Sequence, residues 1–175
     1  MDKNLFRNKY RIGTARLPKW DYSSPAYYFV TICSSNRHPY FGRVVEGEIC
    51  LNILGEAVRQ CWNAIPEYFP HVTLDESIIM PDHVHGIVQI KRRMDIKCSY
   101  KVGVFGPQSK NLGSIIRGFK IGVTKWAHEN HCDFLWQPRF YENIIRDETA
   151  LHDIRTYIMD NPAKWQREHN RRVCA

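Results

Sequence analysis

The constraint that most limits this chain is a strand pair folded about Pro81-Asp82. Residues 72–80 and 83–91 are rich in Val, Ile and Leu, and each is too short for a core helix. The Pro-Asp turn between them makes the pair antiparallel. The second strand, His83-Val84-His85-Gly86-Ile87-Val88, puts two imidazoles at i and i+2. Side chains two apart on a strand share a face, so His83 and His85 stand side by side while Val84, Gly86, Val88 and Ile90 point the other way. Two neighbouring imidazoles form half of a metal site. The plain alternative is one core histidine beside one surface histidine.

The remaining elements are arranged around this pair. Residues 26–34 are aromatic and β-branched and read as a first strand. Residues 41–51 read as a small hairpin turning at Glu46-Gly47. Asn52 caps a helix over about 53–68, with Leu54, Val58, Cys61, Trp62 and Ile65 at helical spacing. Asn111 caps a second helix whose apolar face is Leu112, Ile115, Ile116, Phe119, Val123 and Trp126. Gly113, Gly118 and Gly122 on that helix allow close approach either to the sheet or to a phosphate. Residues 139–146 form a fourth strand, and Asp147-Glu148 opens a last helix that ends at Asn161-Pro162. The order is the split β-α-β-β-α-β pattern of an α+β, ferredoxin-like sandwich with an extra C-terminal helix. An N-terminal arm, residues 1–25, and a basic tail, residues 163–175, flank the domain at 26–162. In the arm, Trp20 and Tyr22 either stack on bases or anchor the arm to the core.

Charge narrows the partner. The net +7 comes from the two ends: six Lys/Arg against two Asp in residues 1–22, and four against one Glu in residues 163–175. Residues 91–125 add nine basic groups with only Asp95, in a neutral middle. This is the footprint of a phosphate-rich partner, or else a basic surface that serves solubility. No apolar run reaches the roughly 20 residues of a membrane helix. The N-terminus has no secretory h-region, so a cytoplasmic location is expected. Six cysteines without any C-x-x-C argue against a zinc ribbon and against a redox dithiol.

On the last helix Tyr157 and Asn161 lie four apart on one face, with Ala150 and Ile154 continuing it. Laid over the sheet, that helix could bring a phenol and an amide to the histidines. Otherwise Tyr157 is a packing tyrosine and Asn161 a helix C-cap.

Five pieces in this order resemble the single-strand DNA transposases with an HUH motif and one catalytic tyrosine, in particular the REP-associated tyrosine transposases. They are Arg16-Leu17-Pro18-Lys19-Trp20-Asp21-Tyr22 with the strand that follows it, Met80–Val88, Gly113–Lys120, Trp136–Glu148 and Tyr157–Pro162. The resemblance spans about residues 17–164. It implies that His83 and His85 bind a divalent metal, Mg²⁺ or Mn²⁺, with Mn²⁺ better suited to nitrogen ligands. It implies that Tyr157 is the nucleophile, forming a 5′-phosphotyrosine. Asn161 stands where insertion-sequence relatives have a metal-binding glutamine, one methylene longer. Tyr141, in Arg139-Phe140-Tyr141-Glu142-Asn143, is the rival nucleophile. The implied substrate is single-stranded DNA carrying imperfect palindromic hairpins, with Arg16, Lys19, Arg92, Arg93, Lys110, Arg117, Lys120 and Arg139 as backbone contacts. The implied assembly is a monomer or a homodimer. A non-catalytic hairpin DNA or RNA-binding module using the same sheet face, and a small metal-dependent hydrolase, are the competing expectations.

Overall fold

The computed structural model describes residue 17, residues 20–91 and residues 111–173. The elements are β1 (Ala26–Cys33), β2 (Gly42–Val45), β3 (Glu48–Leu51), α1 (Ile53–Asn63), α2 (Ile65–Tyr68), β4 (Val72–Ile79), β5 (His83–Ile90), α3 (Leu112–Glu129), β6 (Tyr141–Ile145), α4 (Glu148–Met159) and α5 (Asn161–Val173). β2 and β3 form a separate hairpin. Its turn residues Glu46 and Gly47 sit at φ 52° and 82°, as a tight two-residue loop demands.

The main sheet runs β4-β5-β1-β6 with every pair antiparallel. This is the α+β ferredoxin-like arrangement the element order predicts. Alternation along the strands sorts the side chains between two layers. Tyr28, Val30 and Ile32 of β1, with Val84, Val88 and Ile90 of β5, face the larger core with Val58 and Trp62 of α1 and Ile115, Phe119 and Val123 of α3. Phe29 and Ile87, with Ile145, face the opposite way and bury Leu151 and Ile158 of α4. Both faces of the sheet are therefore covered. Each fully buried aliphatic or aromatic side chain in these layers contributes about 1.5–3 kcal/mol.

Three helix starts follow the expected chemistry. Asn52 accepts from Gly55 N at 2.9 Å, Asn111 from Ser114 N at 2.9 Å and Asp147 from Ala150 N at 2.8 Å. Each cap supplies about 1 kcal/mol by satisfying an otherwise unpaired amide.

Three expectations are corrected and one strand gains a detail. The helix expected over about 53–68 breaks at Ala64, because Pro66 has no N–H to continue the ladder and instead opens α2. The basic tail expected at 163–175 is a further helix through Val173. Pro162 occupies the first turn of α5, where its missing donor costs nothing. The fourth strand begins at Tyr141, two residues late, after Arg139 in a left-handed conformation (φ 67°). β4 carries a bulge at Asp75 and Glu76, which together oppose Ile87 between the Leu74–Val88 and Ser77–Gly86 pairs.

The described end of the arm is anchored. Tyr22 lies in the core and its carbonyl accepts from Leu112 N at 3.0 Å, while Trp20 Nε1 donates to the Tyr28 hydroxyl at 3.2 Å. Residues 1–16, 18 and 19 of the arm and residues 92–110 lie outside the described residues. Cys33, Cys50, Cys61 and Cys132 are free, and no helix among the described residues is long and apolar enough to cross a membrane.

Gly86 is required by packing. A Cβ there would enter the indole of Trp62, which is itself fully buried against the sheet. Gly86→Ala is expected to destabilise the protein by about 1–3 kcal/mol, as forced overpacking does, measured by urea denaturation. An unchanged midpoint would mean that Trp62 has room to move.

Candidate active site

β5 delivers the histidines. Cross-strand register sets His83 opposite Cys33 and His85 opposite Thr31, both on the α4 side of the sheet. The two residues are 4% and 5% exposed, so this face of the sheet is covered where they stand. Buried imidazoles need partners, and every ring nitrogen here has at least one. His83 Nδ1 bonds to Asp82 Oδ1, and His85 Nδ1 lies 2.9 Å from Thr31 Oγ1. The Nε2 atoms face each other at 3.0 Å. His85 also stacks on Phe29, with centroids 5.3 Å apart. Burial above all, then His83 and Arg37, push the His85 pKa down to about 3, which keeps that ring neutral.

This donor set fits a divalent cation. Both Nδ1 atoms are engaged by oxygens, and the two Nε2 atoms stand 3.0 Å apart. Cis ligands of an octahedral ion with bonds of about 2.1 Å lie about 3.0 Å apart, the separation seen here. Among the described residues no group of three or more His, Cys, Asp or Glu is placed to hold a metal, so further ligands would be groups of other kinds, such as an amide, water or a substrate oxygen.

α4 delivers the phenol. The Tyr157 hydroxyl lies 3.4 Å from His85 Nε2, and its ring meets Phe29 edge-on at 6.0 Å. The residue is 39% exposed, so it is neither locked in the core nor remote from the histidines. The Lys164 ammonium sits 4.9 Å above the ring. Asn161 is not the C-cap of α4, which is Asp160. It opens α5 and is 7% exposed. Trp165, one turn further along α5, lies 5.9 Å from the His83 ring, which turns this face of the helix to the site.

Tyr141 shares the sheet face. It pairs with Thr31, which pairs in turn with His85, so it lies two strand spacings, or about 9.5 Å, from the His85 backbone. It is half exposed and edge-on to Phe29.

The expected DNA contacts divide. Arg16, Lys19, Arg92, Arg93 and Lys110 lie outside the described residues. Arg117 and Arg139 line a groove of about 890 Å³ along α3, with Lys125 and His128. That groove belongs to the α1/α3 layer, across the sheet from the histidines. Lys120 also borders it, but its ammonium donates to the Gln137 and Arg139 carbonyls at 2.8 and 2.7 Å. Burial pushes the Lys120 pKa down to about 8. Its first task is to clamp the connection into β6. A second cavity of about 610 Å³ opens beside the histidines, lined by Arg37, Arg43, Asp82 and Trp165.

Sequence reasoning missed Asp82, Arg37, Thr31 and Trp165. Asp82 read only as turn chemistry, although an acid adjoining a paired histidine was a usable signal. Trp165 continues the Tyr157–Asn161 spacing of four, hidden by the assumption that Pro162 ends the helix.

No family profile matches the chain. The chain belongs to one family with an uncharacterized protein of Haemophilus influenzae, to which it is 41% identical over 172 residues, 91% of this chain and 96% of that protein. A second Haemophilus influenzae protein, provisionally named a REP-associated tyrosine transposase, is 29% identical over 109 residues, 61% of this chain and 57% of that protein. A solved structure of a REP-associated tyrosine transposase bound to a REP hairpin is similar in fold, with a TM-score of 0.59 at 20% identity. The match covers 85% of this chain and 73% of that one.

Arg155, two residues before Tyr157, grips Asp75 at the β4 bulge through Nε at 2.7 Å and Nη2 at 2.6 Å, fastening α4 to the sheet. The Arg155 hydrogen bonds hold the Asp75 carboxyl below its usual value. A depressed folded-state pKa gives stability that is present above the unfolded value of about 3.9 and lost as pH falls through the folded one. Asp75→Asn is therefore expected to lower Tm at neutral pH, with the gap from wild type closing below about pH 4. A gap that stays constant across that range would show that the ion pair does not contribute.

Proposed function

We propose that this chain is a metal-dependent tyrosine transferase of single-stranded DNA, of the REP-associated tyrosine transposase kind. It would cleave and rejoin strands beside palindromic hairpins through a 5′-phosphotyrosine. The observation that carries the reading is the placement of the Tyr157 hydroxyl 3.4 Å from an imidazole nitrogen that is itself 3.0 Å from a second one. The similarity in fold to a hairpin-bound transposase, and the partial match to a relative of that name, support it.

His83 and His85 would hold the cation, with Asn161 the candidate third ligand. When bound, the cation polarises the scissile phosphate and offsets the charge that develops on it. The chain's own residues supply the rest. Phe29 and His85 orient the Tyr157 ring, and the Arg155–Asp75 pair fixes the helix that carries it. Tyr157 Oη attacks phosphorus. A new O–P bond forms as the bond to the 3′ oxygen breaks, the phenol proton leaves, and the 3′ oxygen takes up a proton as a free hydroxyl. The phosphotyrosine conserves the bond energy, so a 3′-hydroxyl can reverse the step without ATP. Partial exposure of Tyr157 beside deeply buried ligands suits this division, since the nucleophile must meet a polymer and the ligands must stay ordered.

The test is incubation with hairpin DNA bearing single-stranded flanks, in Mn²⁺, read as a covalent protein–DNA adduct on a denaturing gel. Wild type and Tyr141→Phe are expected to form the adduct. Tyr157→Phe and chelated wild type are expected to lose it at least ~10³-fold, as for loss of a nucleophile. Adduct mapped to Tyr141 would overturn the assignment, and hairpin binding without any adduct would leave a non-catalytic binding module.

The groove along α3 would hold the hairpin backbone. Arg117→Ala and Arg139→Ala are each expected to reduce the slope of log affinity against log salt by about 1, uniformly across hairpin sequences. Fluorescence anisotropy between about 50 and about 200 mM salt measures this. Unchanged slopes would remove the groove from the DNA path.

A further inference from the structure

We propose that Asp82 is the positioning residue of the histidine pair and that Arg37 anchors its carboxylate. The inference rests on the reading of His83 and His85 as metal ligands. Asp82 is 3% exposed, in the turn between β4 and β5. Its backbone carbonyl accepts from both the amide and the hydroxyl of Ser34 at 2.9 Å. One carboxylate oxygen meets His83 Nδ1, and the other stands 3.1 Å from Arg37 Nε. A buried carboxylate without partners is strongly unfavourable, so the ring and the guanidinium together account for its presence.

The consequence falls on the imidazole. An acceptor at Nδ1 keeps the ring proton there in either charge state and leaves Nε2 as the atom that can bind a cation beside His85 Nε2. The two histidines are oriented unequally. His85 leans on the neutral hydroxyl of Thr31, whereas His83 has a charge-assisted bond, the stronger kind. Arg37 ties the carboxylate to β1. Its backbone adopts φ 55°, and its Nη1 also donates to the Sγ of Cys33, the cross-strand partner of His83. The guanidinium is half exposed and borders the 610 Å³ cavity, so carboxylate and cleft are linked through one side chain.

Two readouts test this apart from DNA cleavage. In metal-free protein, ring ¹⁵N spectra are expected to show His83 protonated at Nδ1 in wild type and no longer confined to that tautomer in Asp82→Ala. Mn²⁺ affinity, from the free-ion paramagnetic resonance signal, is expected to fall about 10–100-fold in Asp82→Ala. The loss should be smaller in Thr31→Val, and Asp82→Asn should recover part of it because an amide oxygen still accepts from Nδ1–H. Arg37→Ala, which spares the carboxylate, should give an intermediate loss and serves if Asp82→Ala does not fold. Wild-type Mn²⁺ affinity and an unchanged ring spectrum in Asp82→Ala, or in Arg37→Ala where only that variant folds, would overturn the proposal. If wild type bound no Mn²⁺ at all, the metal reading of the site would fall, while the metal-free spectra would still decide whether Asp82 sets the His83 tautomer.

Discussion

The two-residue alternation of β5 is the constraint on which the rest depends. It sends Val84, Gly86 and Val88 into the core with α1 and α3, and His83 and His85 to the opposite side. A one-residue slip in register would exchange the two sets, burying imidazoles among aliphatics and presenting valines to the site. Trp62 guards against the slip, because its indole fits only against the missing side chain of Gly86. Core packing and site geometry are thus one requirement expressed on the two faces of a single strand.

The second layer is smaller and serves a different purpose. Phe29, Ile87 and Ile145 offer α4 a modest apolar seat, filled by Leu151 and Ile158. A seat of that size fixes a helix weakly in rotation and translation, and the Arg155–Asp75 fork adds the direction that apolar contact lacks. Asp75 follows Leu74, which pairs with the core-facing Val88, so alternation turns Asp75 to the α4 side. One helix and one ion pair therefore help set where the Tyr157 hydroxyl stands.

Charge is arranged in two tiers. The inner tier, buried Asp82, His83 and His85 with half-buried Thr31, is tied together by hydrogen bonds and orders the two Nε2 atoms. The exposed tier, with Arg117 and Arg139 along α3 and Arg37 and Arg43 near the histidines, lines cavities. Lys120 belongs to neither tier, since its ammonium is spent on the backbone carbonyls before β6.

Sequence alone determined the order of the main strands and helices, the two asparagine helix caps and the common face of His83 and His85. These depend on local spacing and on residues that act through their own backbone neighbours. It also singled out Tyr157, by spacing on the last helix and by resemblance. It misjudged α5, because Pro162 is as compatible with a first helical turn as with a stop. Only the tertiary structure decided that both sheet faces are covered, that Lys120 is a clamp and that Asp82 and Arg37 stand behind His83. Those facts depend on residues distant in the chain, Arg37 with Asp82 and Arg155 with Asp75, which meet only once the sheet and its helices have assembled. Pairing across the sheet leaves no periodic trace in either partner's own segment.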